Sequence, residues 1–86
     1  MDSQKITEID TLILEEKKSI AREHFIDVWE SANAEGIDPD LMAKALVEGA
    51  LSELASMQGD EAAAKLVNQI RSMESNGEFL ADKTIQ

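Results

Sequence analysis

The sequence predicts an all-α fold, and three observations predict it. Helix stop-and-start chemistry recurs at three places along the chain. Between these places the apolar residues return at spacings of three and four. Only Leu12-Ile13-Leu14 has strand character, and no second strand candidate exists to pair with it. The expected architecture is a three-helix bundle, or a four-helix one, with a long N-terminal helix and completion by homodimerisation.

The strongest boundary is Glu35-Gly36-Ile37-Asp38-Pro39-Asp40-Leu41-Met42. Gly36 takes the left-handed conformation that closes a helix. Asp38 serves as an N-cap, with its carboxylate accepting from free N–H groups ahead. Pro39 suits the first helical position, which needs no donor. Asp40 lies near the positive end of the helix dipole. Ile37 and Met42 occupy the two positions of a hydrophobic staple. One helix therefore ends near 35 and another begins at 39. A second boundary lies at Gln58-Gly59-Asp60-Glu61, where Gly59 ends a helix and Asp60 caps the next. A third lies at Asn76-Gly77, with Phe79 or Leu80 folding back over the helix end.

The first helix, expected over about 7–35, carries two apolar stripes. Ala21, Phe25, Val28, Trp29 and Ala32 share one face, while Ile6, Ile9, Ile13 and Ile20 form another that does not run smoothly into it. The seam falls at Glu15-Glu16-Lys17-Lys18, so the helix either rotates its contact face or breaks near 16–19; continuity is favoured. The second helix, about 39–57, carries Met42, Ala45, Leu46, Gly49, Ala50, Leu54 and Met57, widened by Leu41 and Leu51, and reads as central. Ala45 and Gly49 form a small-residue notch where a neighbour crosses closely or nothing does. The third, about 61–76, has a narrow stripe of Ala63, Leu66, Val67, Ile70 and Met73. One domain spans 1–86, with fraying expected at 1–5 and 81–86.

At about 1.5 Å per residue, a 29-residue first helix reaches roughly 43 Å, against roughly 28 Å and 24 Å for the others. An overhang exposing Ile6, Ile9, Leu12, Ile13 and Leu14 follows, and a second copy of the chain is the simplest cover. Trp29 is either core or a further part of that interface.

Charge and composition narrow the function classes. The chain of 86 residues carries a net charge of −10. The charge is spread out: −5 over 1–36, −3 over 37–59 and −2 over 60–86. A solvated acidic surface is the plain reading. Lys17, Lys18 and Arg22 stand among acids, so direct nucleic-acid binding is not expected. There is no cysteine, no apolar run of membrane-spanning length and no basic-then-apolar leader, which points to a cytoplasmic protein.

Catalytic and metal chemistry find little material. The one histidine, His24, excludes a His-Glu-x-x-His zinc site, and position 21, where a Glu-x-x-His pattern needs an acid, is Ala21. Asp38 and Asp40 lack the alternating ligands and the glycine of a calcium loop. The serines on the helices have no strand–turn–helix context, and the four glycines are isolated. No catalytic, cofactor-binding or metal-binding residue is assigned, and no enzyme activity is expected.

The stretch Trp29-Glu30-Ser31-Ala32-Asn33-Ala34-Glu35-Gly36-Ile37-Asp38-Pro39, with Gly59-Asp60-Glu61-Ala62-Ala63 and the run from Ile70-Arg71 to Asn76-Gly77-Glu78-Phe79, resembles small uncharacterised helical proteins of alphaproteobacteria. The resemblance spans about 25–79 and rests on caps and amphipathic stripes. It implies a compact helical bacterial protein and transfers no functional residue. Three functions are thus in view: a non-catalytic, self-associating protein–protein interaction or regulatory module, an acidic nucleic-acid mimic that inhibits a basic partner, and a small ligand carrier.

Overall fold

The computed structural model describes the backbone of residues 2–80 and the side chains of residues 8–80. The regular structure is three α-helices: α1 (Asp2–Ala34), α2 (Pro39–Gln58) and α3 (Asp60–Ser75). No strand occurs among the described residues, so Leu12-Ile13-Leu14 is helical. α1 is continuous through 16–19 and starts at Asp2 rather than near 7. The fraying expected at 1–5 and 81–86 concerns residues 1 and 81–86 and side chains that lie outside the described residues.

The chain divides into two compact units, residues 1–42 and residues 43–86, and the division falls inside α2. In the first unit α1 closes with a Schellman motif. Gly36 has φ +81°. The Ile37 N–H donates to the Ala32 carbonyl at 3.0 Å, and the Gly36 N–H donates to the Asn33 carbonyl at 3.0 Å. Two carbonyls at the helix end are thereby satisfied. The same 6→1 bond sets Ile37 against the last turn of α1. Ala32, at 6% exposure, is the one buried hydrophobic residue among those described.

α2 starts where Pro39 predicts, but with different cap chemistry. The Asp38 carbonyl accepts the Met42 N–H at 3.0 Å. The carboxylate that meets a free N–H is that of Asp40, whose Oδ1 accepts from the Leu41 N–H at 2.9 Å. Asp38 thus opens the helix through its backbone, and its neighbour supplies the side-chain bond.

In the second unit a single residue separates two helices. The Gly59 N–H donates to the Ala55 carbonyl at 2.9 Å, closing α2, and its carbonyl accepts the Ala62 N–H at 3.2 Å, opening α3. Its φ of 99° and ψ of 161° fall in a region open essentially to glycine alone. Gly59 is therefore the N-cap, and no side chain caps α3. Asp60, expected as the cap, is the first helical residue and acts with Glu61 on the dipole. α3 ends in a second Schellman motif, with the Glu78 N–H on the Met73 carbonyl and the Gly77 N–H on the Glu74 carbonyl, both at 3.0 Å. Beyond the motif the chain turns once more, with the Leu80 N–H on the Gly77 carbonyl at 3.2 Å, and Phe79 and Leu80, expected to cover the helix end, are 56% and 60% exposed.

Cover in this unit is partial. Leu46, Leu51, Leu54 and Ala55 on α2, and Ala62, Ala63, Leu66, Val67 and Met73 on α3, are half-buried. The α3 set follows the predicted stripe except that Ile70 is exposed and Ala62 joins it. α2 has no buried residue, and Met57 is 79% exposed. In a unit built on one helix pair, a wide apolar surface has one neighbour to meet. The notch at Gly49 is open, with nothing within 4 Å of where a Cβ would stand.

Candidate functional site

The feature that calls for a functional account is the N-terminal half of α1. Every residue from 8 to 28 is exposed. Ile9, Leu12, Ile13 and Leu14 are 50%, 70%, 46% and 51% exposed. Continuous helix fixes their directions, since successive residues turn by about 100°. Ile9 and Ile13 lie one turn apart on one line. Leu12 and Leu14 lie about 100° to either side of Ile13. One flat surface therefore cannot take all four. Leu14 falls by spacing on the stripe of Ala21, Phe25, Val28 and Ala32. Ile6 belongs to the Ile9–Ile13 line by position, and its side chain lies outside the described residues.

Trp29 stands apart from this group. It is half-buried, and its ring meets Phe25 with centroids 5.6 Å apart and planes tilted by 30°. Tilted aromatic pairs of this separation are favourable. Leu14 and Trp29 are separated by roughly 22 Å along the axis. Of the six residues singled out in the sequence, the structure brings Ile9 and Ile13 together with Leu12 at their flank, and it places Trp29 in a different cluster. Phe25, its ring partner, was readable from the four-residue spacing.

The seam Glu15-Glu16-Lys17-Lys18 is solvent-exposed. Lys18 Nζ approaches Glu15 Oε2 at 3.4 Å. Among the described residues Glu16 and Lys17 have no partner.

Elsewhere the surface offers shallow hollows. One of about 430 Å³ is bordered by Glu61, Ala64, Lys65, Asn68, Gln69 and Ser72. Their spacing marks them as the polar side of α3 rather than an enclosed cavity. Another, of about 320 Å³, lies in the first unit beside Val28, Ala32, Ile37 and Met42, with Asp27 and Glu35 at its edge. Among the described residues no three His, Asp or Glu side chains converge on a metal-sized position. No buried side-chain nitrogen or oxygen there lacks a partner. His24 is exposed. No helix of the described residues is long and apolar enough to cross a membrane.

Comparison with family models, with curated proteins and with solved structures finds no match to this chain.

Proposed function

We propose that the protein is a small non-catalytic interaction module that assembles with a second copy of itself through the N-terminal half of α1. The observation that carries this reading is the apolar surface of Ile9, Leu12 and Ile13 on an unbroken helix that nothing in its own unit covers. An isolated helix gains little stability from propensity, and most helices are held by packing of one face. Long exposed apolar stripes are accordingly a mark of association. A bundle completed by the second copy satisfies both demands. The even spread of the −10 charge keeps such a module soluble, and Glu16 is the one charge on the line of Ile9, Ile13 and Ile20. A chain without cysteine suits a reducing cytoplasm as the setting.

Light scattering on the full chain and on a chain lacking residues 1–18 tests the reading. A dimer mass that falls to the monomer on truncation supports it. A monomer mass for the full chain at micromolar concentration overturns self-assembly and turns attention to a foreign protein as the cover.

A further inference from the structure

We infer that the second copy pairs with α1 as a parallel, in-register, two-stranded coiled coil over residues 6–20. The inference rests on the self-association proposed above and specifies its geometry.

Ile6, Ile13 and Ile20 are seven residues apart, and Ile9 lies three beyond the first. This is the a–d–a spacing of a heptad seam, with Ile6, Ile13 and Ile20 at a, Ile9 and Glu16 at d, and Leu12 at g. A strict seven-residue repeat marks a helix–helix seam more specifically than a 3.6-residue stripe does. Ile9, Ile13 and Ile20 are exposed to nearly the same extent, 50%, 46% and 47%. The line is uniformly open along its length. It stops at Ile20: the next d and a positions are Glu23 and Asp27. From Ala21 onward the apolar stripe of α1 is displaced by one residue, or about 100°, and leads to half-buried Trp29 and buried Ala32. The two halves of α1 therefore present different faces: the second ends at buried Ala32, with Phe25 and Val28 on it still 49% and 42% exposed, and the first has no buried end.

Glu16 decides the direction of pairing. In a parallel pair, like positions stack, giving Ile9, Ile13 and Ile20 layers against their own copies and a single unfavourable layer of Glu16 against Glu16. In that arrangement the hole that receives a d side chain includes the neighbouring e residue, here Lys17. Each Glu16 carboxylate then meets a Lys17 ammonium of the other copy. Among the described residues neither of these charges has a partner, while Glu15 and Lys18 already pair with each other. Antiparallel pairing sets a against d and puts Glu16 of each copy opposite an isoleucine, which makes two unfavourable layers. Isoleucine at both a and d otherwise favours three strands. A third strand would gather three carboxylates in one layer, so two strands are favoured.

The absence of cysteine gives a clean test. Full-length Ile9→Cys is equilibrated in a glutathione redox buffer, beside an outward-facing control, Lys18→Cys. A mixture of Ile9→Cys with Ile13→Cys is treated in the same way. Pairing in register raises the effective thiol concentration, so the Ile9→Cys disulfide dimer should exceed the control by about tenfold or more. The 9–13 cross-link should be the minor product in the mixture. In parallel, Glu16→Leu should tighten the dimer by about tenfold, as expected for an apolar residue replacing a polar one in the seam. A dominant 9–13 cross-link with a dimeric mass overturns the parallel arrangement and keeps self-association. Cross-linking no better than the control in a dimeric protein overturns the seam. A trimeric mass overturns the two-strand assignment. A monomeric mass for the unmodified chain overturns the underlying reading as well.

Discussion

Residues 8–20 and residues 28–42 belong to the same compact unit, and both are rich in aliphatic side chains, yet they solve opposite problems. The second segment joins α1 to α2 through a four-residue connection, and its short-range chemistry is complete: a Schellman motif at Gly36, an N-terminal proline and the Asp40 bond to Leu41. It holds the buried Ala32. The first segment is regular helix with no buried side chain. The difference teaches that local order and burial are separable. A helix is drawn by its sequence pattern, but what covers its apolar face is set by whatever lies opposite.

Substitutions should therefore divide into two groups: those at 8–20 should move assembly, and those at 28–42 should move stability. The largest effect is expected for Ile13→Asp. Removing a buried isoleucine from each copy forfeits about 1.5–3 kcal/mol per side chain, so association should weaken by more than about a hundredfold. Light scattering should show this, and circular dichroism should lose no more helix signal than the uncovered N-terminal half of α1 supplies. Next, Gly36→Ala places a Cβ on a residue with φ +81°. It should cost about 1–2 kcal/mol and lower the Tm without changing the dimer mass beforehand. Ile37→Ala removes an aliphatic side chain that borders the same hollow as Val28, Ala32 and Met42. Since Ile37 is 38% exposed, the loss in urea unfolding should be roughly 1 kcal/mol. Asp40→Ala deletes an N-terminal charge and the 2.9 Å bond to Leu41, with an expected cost of about 0.5–1 kcal/mol by the same measurement. The smallest effect is expected for Lys18→Ala. Its contact with Glu15 is solvent-exposed and one turn apart, so stability should change by less than about 0.5 kcal/mol. An assembly defect in Gly36→Ala, or a stability defect without loss of assembly in Ile13→Asp, would break the division.

The connections were the most legible part of the fold in the sequence. Gly36, Pro39, Gly59 and Gly77 act through the backbone conformations they permit, and that chemistry is local. Finer assignments slipped where two neighbours could do the same task. Asp38 and Asp40 both carry carboxylates at the start of α2, and side-chain geometry gives the bond to Asp40. Gly59 serves as both stop and start because its φ and ψ suit an N-cap without a side chain. The surface was legible in part. The exposure of Ile9, Leu12, Ile13 and Leu14 follows from the length of α1. Their directions depend on whether that helix is continuous, and a break at the Glu15–Lys18 seam would have regrouped them. Trp29 was undecided because its one clear partner, Phe25, is on the same helix and settles nothing about the opposite side.

The most direct test of the central claim is amide hydrogen exchange on the full chain at two concentrations, one below and one above the assembly midpoint. The helix of residues 8–20 has no tertiary cover in its own unit, so its amides should open readily in the monomer. Protection there should rise with concentration, while protection over 32–37, held by the Ala32–Ile37 bond, should stay constant. Protection at 8–20 that does not depend on concentration would contradict the claim that a second copy covers this face.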